Sequence, residues 1–295
     1  MGAKLLLLLY ADVSLQVNLT MLNQANTPLI MGILNCTPDS FFCGSRTQTD
    51  SEIAARANAI ISEGGSIIDI GAYSTRPGAA EVSEEEEMRR LRGALEVVRR
   101  EQPEAVLSVD TFRPSVARMA VREYGVQIVN DVSEGQHLDE MAALGTTYVL
   151  MSVQPDMGTT LKCFAEKVAR LRELGCRDII LDPGFGFGKD VIEGNYAMLR
   201  DLHRVKESFP DLPLLAGMSR KRMIYQLLGC TPESDRALQG TMLANLIALQ
   251  QGADILRVHD VKAAADTVRI GMKSPLRLPP RGRDENCRDK MHSLI

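Results

Sequence analysis

The stretch Ile179-Ile180-Leu181-Asp182-Pro183-Gly184-Phe185-Gly186-Phe187-Gly188-Lys189 decides how this chain is read. A short aliphatic run, right for a buried strand, ends abruptly in a carboxylate and a Pro-Gly turn. Alternating glycines and a lysine follow. The spacing is GxGxG rather than GxGxxG, and an aspartate precedes it, so a dinucleotide fingerprint is a poor match. The glycines would let the backbone approach a flat ligand that Asp182 holds by its edge. The plainer alternative is an aspartate that only caps the next turn.

Apolar run, polar tip and loop recur along the chain. The runs are Leu29–Leu34, Ser66–Ile70, Ala105–Val109, Gln127–Asn130, Thr146–Met151, Asp178–Leu181, Pro213–Ala216 and Ala253–Val258. Most lack clean alternation, as strands buried on both faces do. Segments with helical spacing lie between them. Ala54, Ala57, Ile60 and Ile61 share a face before Gly64-Gly65 ends the helix. Ser83 and Glu86 make a capping box ahead of Met88, Leu91, Leu95 and Val98. Pro114 suits the first turn of a helix running to Tyr124. Leu138–Leu144, Leu161–Leu174, Asn195–Phe209, Arg220–Leu228, Asp235–Gln251 and Lys262–Gly271 supply the rest.

Eight strands alternating with helices, without a linker or composition break, predict an α/β fold. It is a single-domain (β/α)8 TIM barrel over residues 29–272. A doubly wound open sheet is the competing architecture. Residues 1–28 read as a lead-in with a short strand or hairpin, and 273–295 as a mobile, disordered tail.

With 295 residues, 45% apolar and 24% charged, the chain has the composition of a globular protein able to bury a sizeable core. A net charge of −4, no Trp and 4% aromatics disfavour a nucleic-acid partner. Six cysteines without a CxxC pair or zinc spacing read as free thiols in a reducing, cytoplasmic compartment. The Leu5–Tyr10 run is too short to span a bilayer, so no membrane association is expected.

Barrel active sites gather at the carboxyl ends of the strands. Here those ends carry Asn35, Ser74-Thr75-Arg76, Asp110, Asn130-Asp131, Met151, Asp182, Ser219-Arg220-Lys221, and Arg257 with His259. Asp110, Asn130, Asp182 and Lys221 offer donors and acceptors suited to the edge of a heterocycle. Arg257, His259 and Arg76, with a metal near Asn35, suit an oxyanion such as phosphate.

Several motifs in order now bring a family into view: MGILNCTPDSFF (31–42), IDIGAYSTRPGA (68–79), SVDTFRP (108–114), IVNDVS (128–133), LDPGFGFGK (181–189), AGMSRK (216–221) and RVHDV (257–261). Together they resemble dihydropteroate synthase, the transferase of folate biosynthesis that joins a dihydropterin diphosphate to p-aminobenzoate. The resemblance spans about Leu29–Val261. It implies a pterin pocket of Asp110, Asn130, Asp182 and Lys221, with Met151 and Phe187 at the ring faces. It implies Asn35, Arg257 and His259 at the pyrophosphate, with Mg2+ as cofactor beside Asn35. It also implies Phe41, Thr75, Arg76 and Pro77 on the p-aminobenzoate side, together with Lys221, and a homodimer. No protein nucleophile is needed; the leaving group needs electrostatic stabilisation and the pterin cation needs shielding from water.

The chain departs from the family pattern at three places. Cys43 stands where a second loop aspartate is common. Arg222 replaces the serine expected beside the p-aminobenzoate carboxylate, where sulfonamides also bind in the family. The usual Met-His-Met run reads Met151-Ser152-Val153. Two alternatives stay open: a non-catalytic paralogue that binds pterin diphosphate, and a pterin-binding methyltransferase.

Overall fold

The computed structural model describes residues 27–36, 50–73 and 81–273. The lead-in hairpin, the tail, Cys43 and the segments holding Phe41, Thr75, Arg76 and Pro77 lie outside the described residues.

The strands are β1 (Leu29–Asn35), β2 (Ile67–Gly71), β3 (Val106–Asp110), β4 (Ile128–Asp131), β5 (Thr147–Met151), β6 (Ile179–Asp182), β7 (Leu215–Ala216) and β8 (Ile255–Val258). All pairings are parallel, in the order β6-β5-β4-β3-β2-β1-β8-β7. A parallel bridge between Leu181 and Leu214 joins the two ends, with the Leu181 N–H donating to the Pro213 carbonyl at 2.9 Å. This closure, together with the β1–β8 pairing, gives the predicted (β/α)8 barrel and excludes the open doubly wound sheet.

The expected strands agree with the observed ones to within one or two residues. Their period of two explains how the site is presented. Met31, Ile67, Ile128, Val149, Ile180, Leu215 and Ile255 pack together inside the barrel. Two positions further along their strands come Asp69, Asn130, Met151, Asp182 and Arg257. An apolar plug therefore sits one layer beneath a polar one.

The helices outside are α1 (Asp50–Ser62), α2 (Glu84–Glu101), α3 (Pro114–Tyr124), α4 (Leu138–Ala142), α5 (Met157–Glu173), α6 (Glu193–Arg200), α7 (His203–Ser208), α8 (Arg222–Tyr225), α9 (Asp235–Gln250) and α10 (Val261–Lys273). Ser83 caps α2 by accepting from the Glu86 N–H, but the Glu86 carboxylate is taken up by Arg89 and Arg90. The expected capping box is thus half formed. The helix predicted over Asn195–Phe209 is two. Between them Leu202, Arg204 and Val205 bond three residues back, and this tighter winding keeps Leu199, Leu202 and Val205 facing the core. Met157–Glu173 starts one turn earlier than its apolar spacing indicated, because Asp156 caps it through the Thr159 N–H at 2.9 Å.

Candidate active site

The polar layer is organised by one guanidinium. Arg257 donates from Nε to Asp69 Oδ2 at 2.6 Å and from Nη2 to Asp110 Oδ2 at 2.5 Å. Asn130 Nδ2 donates to the same Asp69 oxygen at 3.2 Å. Asp69 is wholly buried in the middle of β2, inside the run Ser66–Ile70 that is otherwise aliphatic but for its first serine. Its signal was available: a carboxylate inside a run buried on both faces needs a charged partner in the barrel.

Arg257 and Asp110 thus belong to one network, which ties the residues expected at the ring to one expected at the anion. Burial pushes the Asp110 carboxyl up, to about 7; Arg257 opposes this, while Asp69 and Glu87 add to it. For Arg257, burial disfavours the charge, but Asp69 and Asp110 outweigh it and hold the guanidinium protonated. Glu87 is buried behind β3, where Thr111 Oγ1 donates to it at 2.7 Å and Arg113 at 2.5 Å, fixing the turn that follows Asp110.

Asp182 ends β6 and is nearly buried. Its Oδ1 accepts from the Gly184 N–H at 2.8 Å, so one oxygen does make the local turn. The second has no hydrogen bond among the described residues. Burial raises this carboxyl, against the pull of Lys221 and the Gly184 N–H. Lys221, after β7, donates to the Phe185 carbonyl at 2.5 Å and lies 4.9 Å from the centroid of the Phe187 ring. Burial lowers its ammonium to about 8, although Asp182 favours the charge. Lys189 folds back on the carbonyls of Gly184 and Phe187, and burial lowers it to about 8. Met151 is buried at the end of β5.

The corner between β1 and β8 carries Asn35 and His259. Beyond Gly32 and Val258 these strands no longer pair. Arg56 reaches in from α1, donating to the Ile33 carbonyl at 3.1 and 3.0 Å and to the His259 carbonyl at 2.6 Å. The His259 N–H donates to Ser219 Oγ at 3.1 Å. Arg220, at a left-handed φ of 52°, clamps Asp260 with bonds of 2.8 and 3.1 Å. It is therefore a structural partner of the RVHD run rather than a ligand-facing cation.

A Cβ on Gly71 would lie 3.3 Å from Asp110 Cβ and 3.8 Å from Asn35 Oδ1, so the bare backbone there leaves room for both side chains. A single amide oxygen such as that of Asn35 would serve only a cation held mainly by phosphate oxygens and water. Among the described residues no three His, Cys, Asp or Glu side chains converge as a metal site. Arg222 is exposed at the start of α8. With the Gln226 amide turned to accept, its Nε and Nη2 reach that oxygen at 3.2 and 3.3 Å.

Residues 31–259 match the model of the pterin-binding enzymes. The chain belongs to the pterin-binding enzyme family. A relative in that family, the dihydropteroate synthase of Escherichia coli K12, is 41% identical over 261 residues, covering 82% of this chain and 90% of the relative. The solved dihydropteroate synthase of Xanthomonas albilineans with 4-aminobenzoic acid superposes with a TM-score of 0.76 at 37% identity, over 84% of this chain and 93% of the other. That of Yersinia pestis with a sulfonamide drug complex gives 0.76 at 36%, over 83% and 94%. In this pterin-binding enzyme no described helix is long and apolar enough to cross a membrane, and Cys36, Cys163, Cys176 and Cys230 are free thiols.

Proposed function

We propose that the chain is a dihydropteroate synthase. It condenses 6-hydroxymethyl-7,8-dihydropterin diphosphate with p-aminobenzoate to give 7,8-dihydropteroate and pyrophosphate. The observation that carries this reading is the cluster of buried Asn130 and Asp182 with half-buried Asp110 and Lys221, level with Met151 at the strand ends, in a chain matched to the family over residues 31–259.

Asp182 and Asp110 accept N–H donors from the aminopyrimidinone edge, each charge-assisted bond contributing about 1.5–3 kcal/mol. Those donors favour the ionised carboxylates that burial disfavours in the free protein. Lys221 and Asn130 meet the acceptors of the ring, while Met151 and Phe187 flank its faces. The C–O bond between the pterin methylene and the diphosphate breaks, and the electron pair leaves with the diphosphate. The arylamine nitrogen then forms the C–N bond and gives up its proton. Arg257, with Nη1 left by its two aspartates, and His259 hold the departing anion. Asn35 would hold Mg2+, which neutralises charge on the diphosphate oxygens when bound. Phe41, Thr75, Arg76, Pro77 and Arg222 are assigned to the p-aminobenzoate side, and the chain is taken as a sulfonamide target on its likeness to the Yersinia relative solved with a sulfonamide drug complex.

The protein is assigned to the cytoplasm, and the barrel comprises residues 29–272. A second copy is proposed to cover the face of Leu243 and Ile247, one turn apart on α9, and Ile270 on the adjoining α10, all exposed; light scattering that gives a monomer mass would refute it. The function is tested by coupled pyrophosphate release. Turnover should require dihydropterin diphosphate, p-aminobenzoate and Mg2+ together. Binding of the diphosphate without turnover would instead make the chain a non-catalytic pterin-binding paralogue.

A further inference from the structure

We propose that Glu134 is a positioning residue for the pterin pocket, acting through the loop after β5 on the glycine loop after β6. The inference rests on the pterin reading above. It gives a role to the Met151-Ser152-Val153 run, where the chain departs from its family.

Glu134 follows β4 with a φ of 59°, a left-handed backbone that a residue with a Cβ seldom adopts. Its carboxylate gathers donors from three successive residues of the neighbouring loop, Ser152, Val153 and Gln154. The Val153 N–H donates at 2.9 Å, Gln154 Nε2 at 3.0 and 3.1 Å to the two oxygens, and Ser152 Oγ at 3.3 Å. Cys163 Sγ lies at 3.5 Å, and Lys167 Nζ donates to the Glu134 carbonyl. Burial disfavours the charge on Glu134, but these partners prevail and hold it below the usual carboxylate range.

The loop so fixed is the surface on which the next one is moulded. A Cβ on Gly184 would stand 1.9 Å from the Ser152 carbonyl oxygen, and one on Gly188 1.7 Å from that of Val153. Both glycines have positive φ, 69° and 62°. Backbone therefore meets backbone, with no flexible side chain between to absorb a shift. The Ser152 N–H also donates to the Asp182 carbonyl at 2.8 Å. The glycine loop carries Asp182 and Phe187, and its Phe185 carbonyl receives Lys221. Displacing Ser152–Gln154 thus displaces the pterin-edge residues together and reaches the p-aminobenzoate side through Lys221.

Two variants separate the causes. Glu134→Gly accepts the left-handed backbone but loses the carboxylate. Glu134→Gln keeps the length but turns an amide N–H toward Gln154. The readouts are Kd for dihydropterin diphosphate by calorimetry, KM for each substrate, and Tm. Glu134→Gly should raise the pterin Kd and KM on the order of tenfold, as misplacement of binding groups does. It should raise the p-aminobenzoate KM less than the pterin KM and lower Tm by a few degrees, as donors left unpaired do, with Glu134→Gln between. An unchanged pterin Kd, or both KM values rising by the same factor, would overturn the proposal. A wild type that binds the diphosphate without releasing pyrophosphate sinks the synthase reading, and the Kd comparison still decides the role of Glu134. A wild type that binds no pterin overturns both.

Discussion

Replacing Arg257 by methionine removes the guanidinium that Asp69 and Asp110 share. Asp69 is wholly buried and the Arg257 and Asp110 side chains are 19% exposed, so water cannot take its place. With all three groups ionised the cluster carries a net −1; without Arg257 it carries −2. Breaking a buried pair from one side costs about 3–5 kcal/mol, out of a total stability of about 5–15 kcal/mol. At roughly 2–4 °C per kcal/mol for a chain of this order of size, Tm should fall on the order of 10 °C. The pH dependence follows from the Asp110 carboxyl, raised to about 7 in the folded protein against about 3.9 unfolded. A raised carboxyl binds its proton more tightly when folded, so its contribution is fully present below about pH 4 and declines as pH rises toward 7. Loss of Arg257 raises the Asp110 carboxyl further, and its protonation then repairs more of the damage. The deficit against wild type should be largest at about pH 8 and shrink toward pH 5. Urea denaturation of both proteins at the two pH values measures it, and Arg257→Met/Asp69→Asn closes the cycle by recovering about 1 kcal/mol or more at the higher pH. A deficit equal at both pH values, or a double variant as unstable as the single, would refute the shared-charge reasoning.

Asp182→Asn should weaken dihydropterin diphosphate binding by about 10- to 150-fold, the loss of one charge-assisted bond. Its Tm should not fall, because burial disfavours the charge it removes; tight binding measured by calorimetry would contradict this. Arg222→Ser should change the ratio of the sulfonamide inhibition constant to the p-aminobenzoate KM, and a constant ratio would end the assignment of Arg222 to that side. Arg56→Met leaves the Ile33 and His259 carbonyls without their donor. It should cost about 1–3 kcal/mol of stability and raise the inhibition constant for pyrophosphate more than the KM for p-aminobenzoate; equal effects on both would place Arg56 outside the anion corner.

The barrel and the addresses of its site were legible in the sequence because both are written at short range. An aliphatic run of four to seven residues buried on both faces is recognisable by itself, and a polar residue two positions past a plug residue must lie on the same inner face. Ile180 and Asp182, Ile128 and Asn130, and Ile255 and Arg257 all obey this rule. Who pairs with whom was not legible. Arg257 meets Asp69 and Asp110 across 188 and 147 residues, and Arg56 meets the His259 carbonyl across 203. Those contacts exist because β1 pairs with β8 and the barrel closes, a register that no local propensity encodes. Glu134 shows the same limit at shorter range: its sequence neighbours suggest a turn, and only the packing of the loop after β5 and of α5 gives its carboxylate four donors. Period and polarity determine which residues reach the mouth of the barrel. Closure decides which charges face one another there, because an ionised group in a low-dielectric interior must take whichever partner the fold brings within reach.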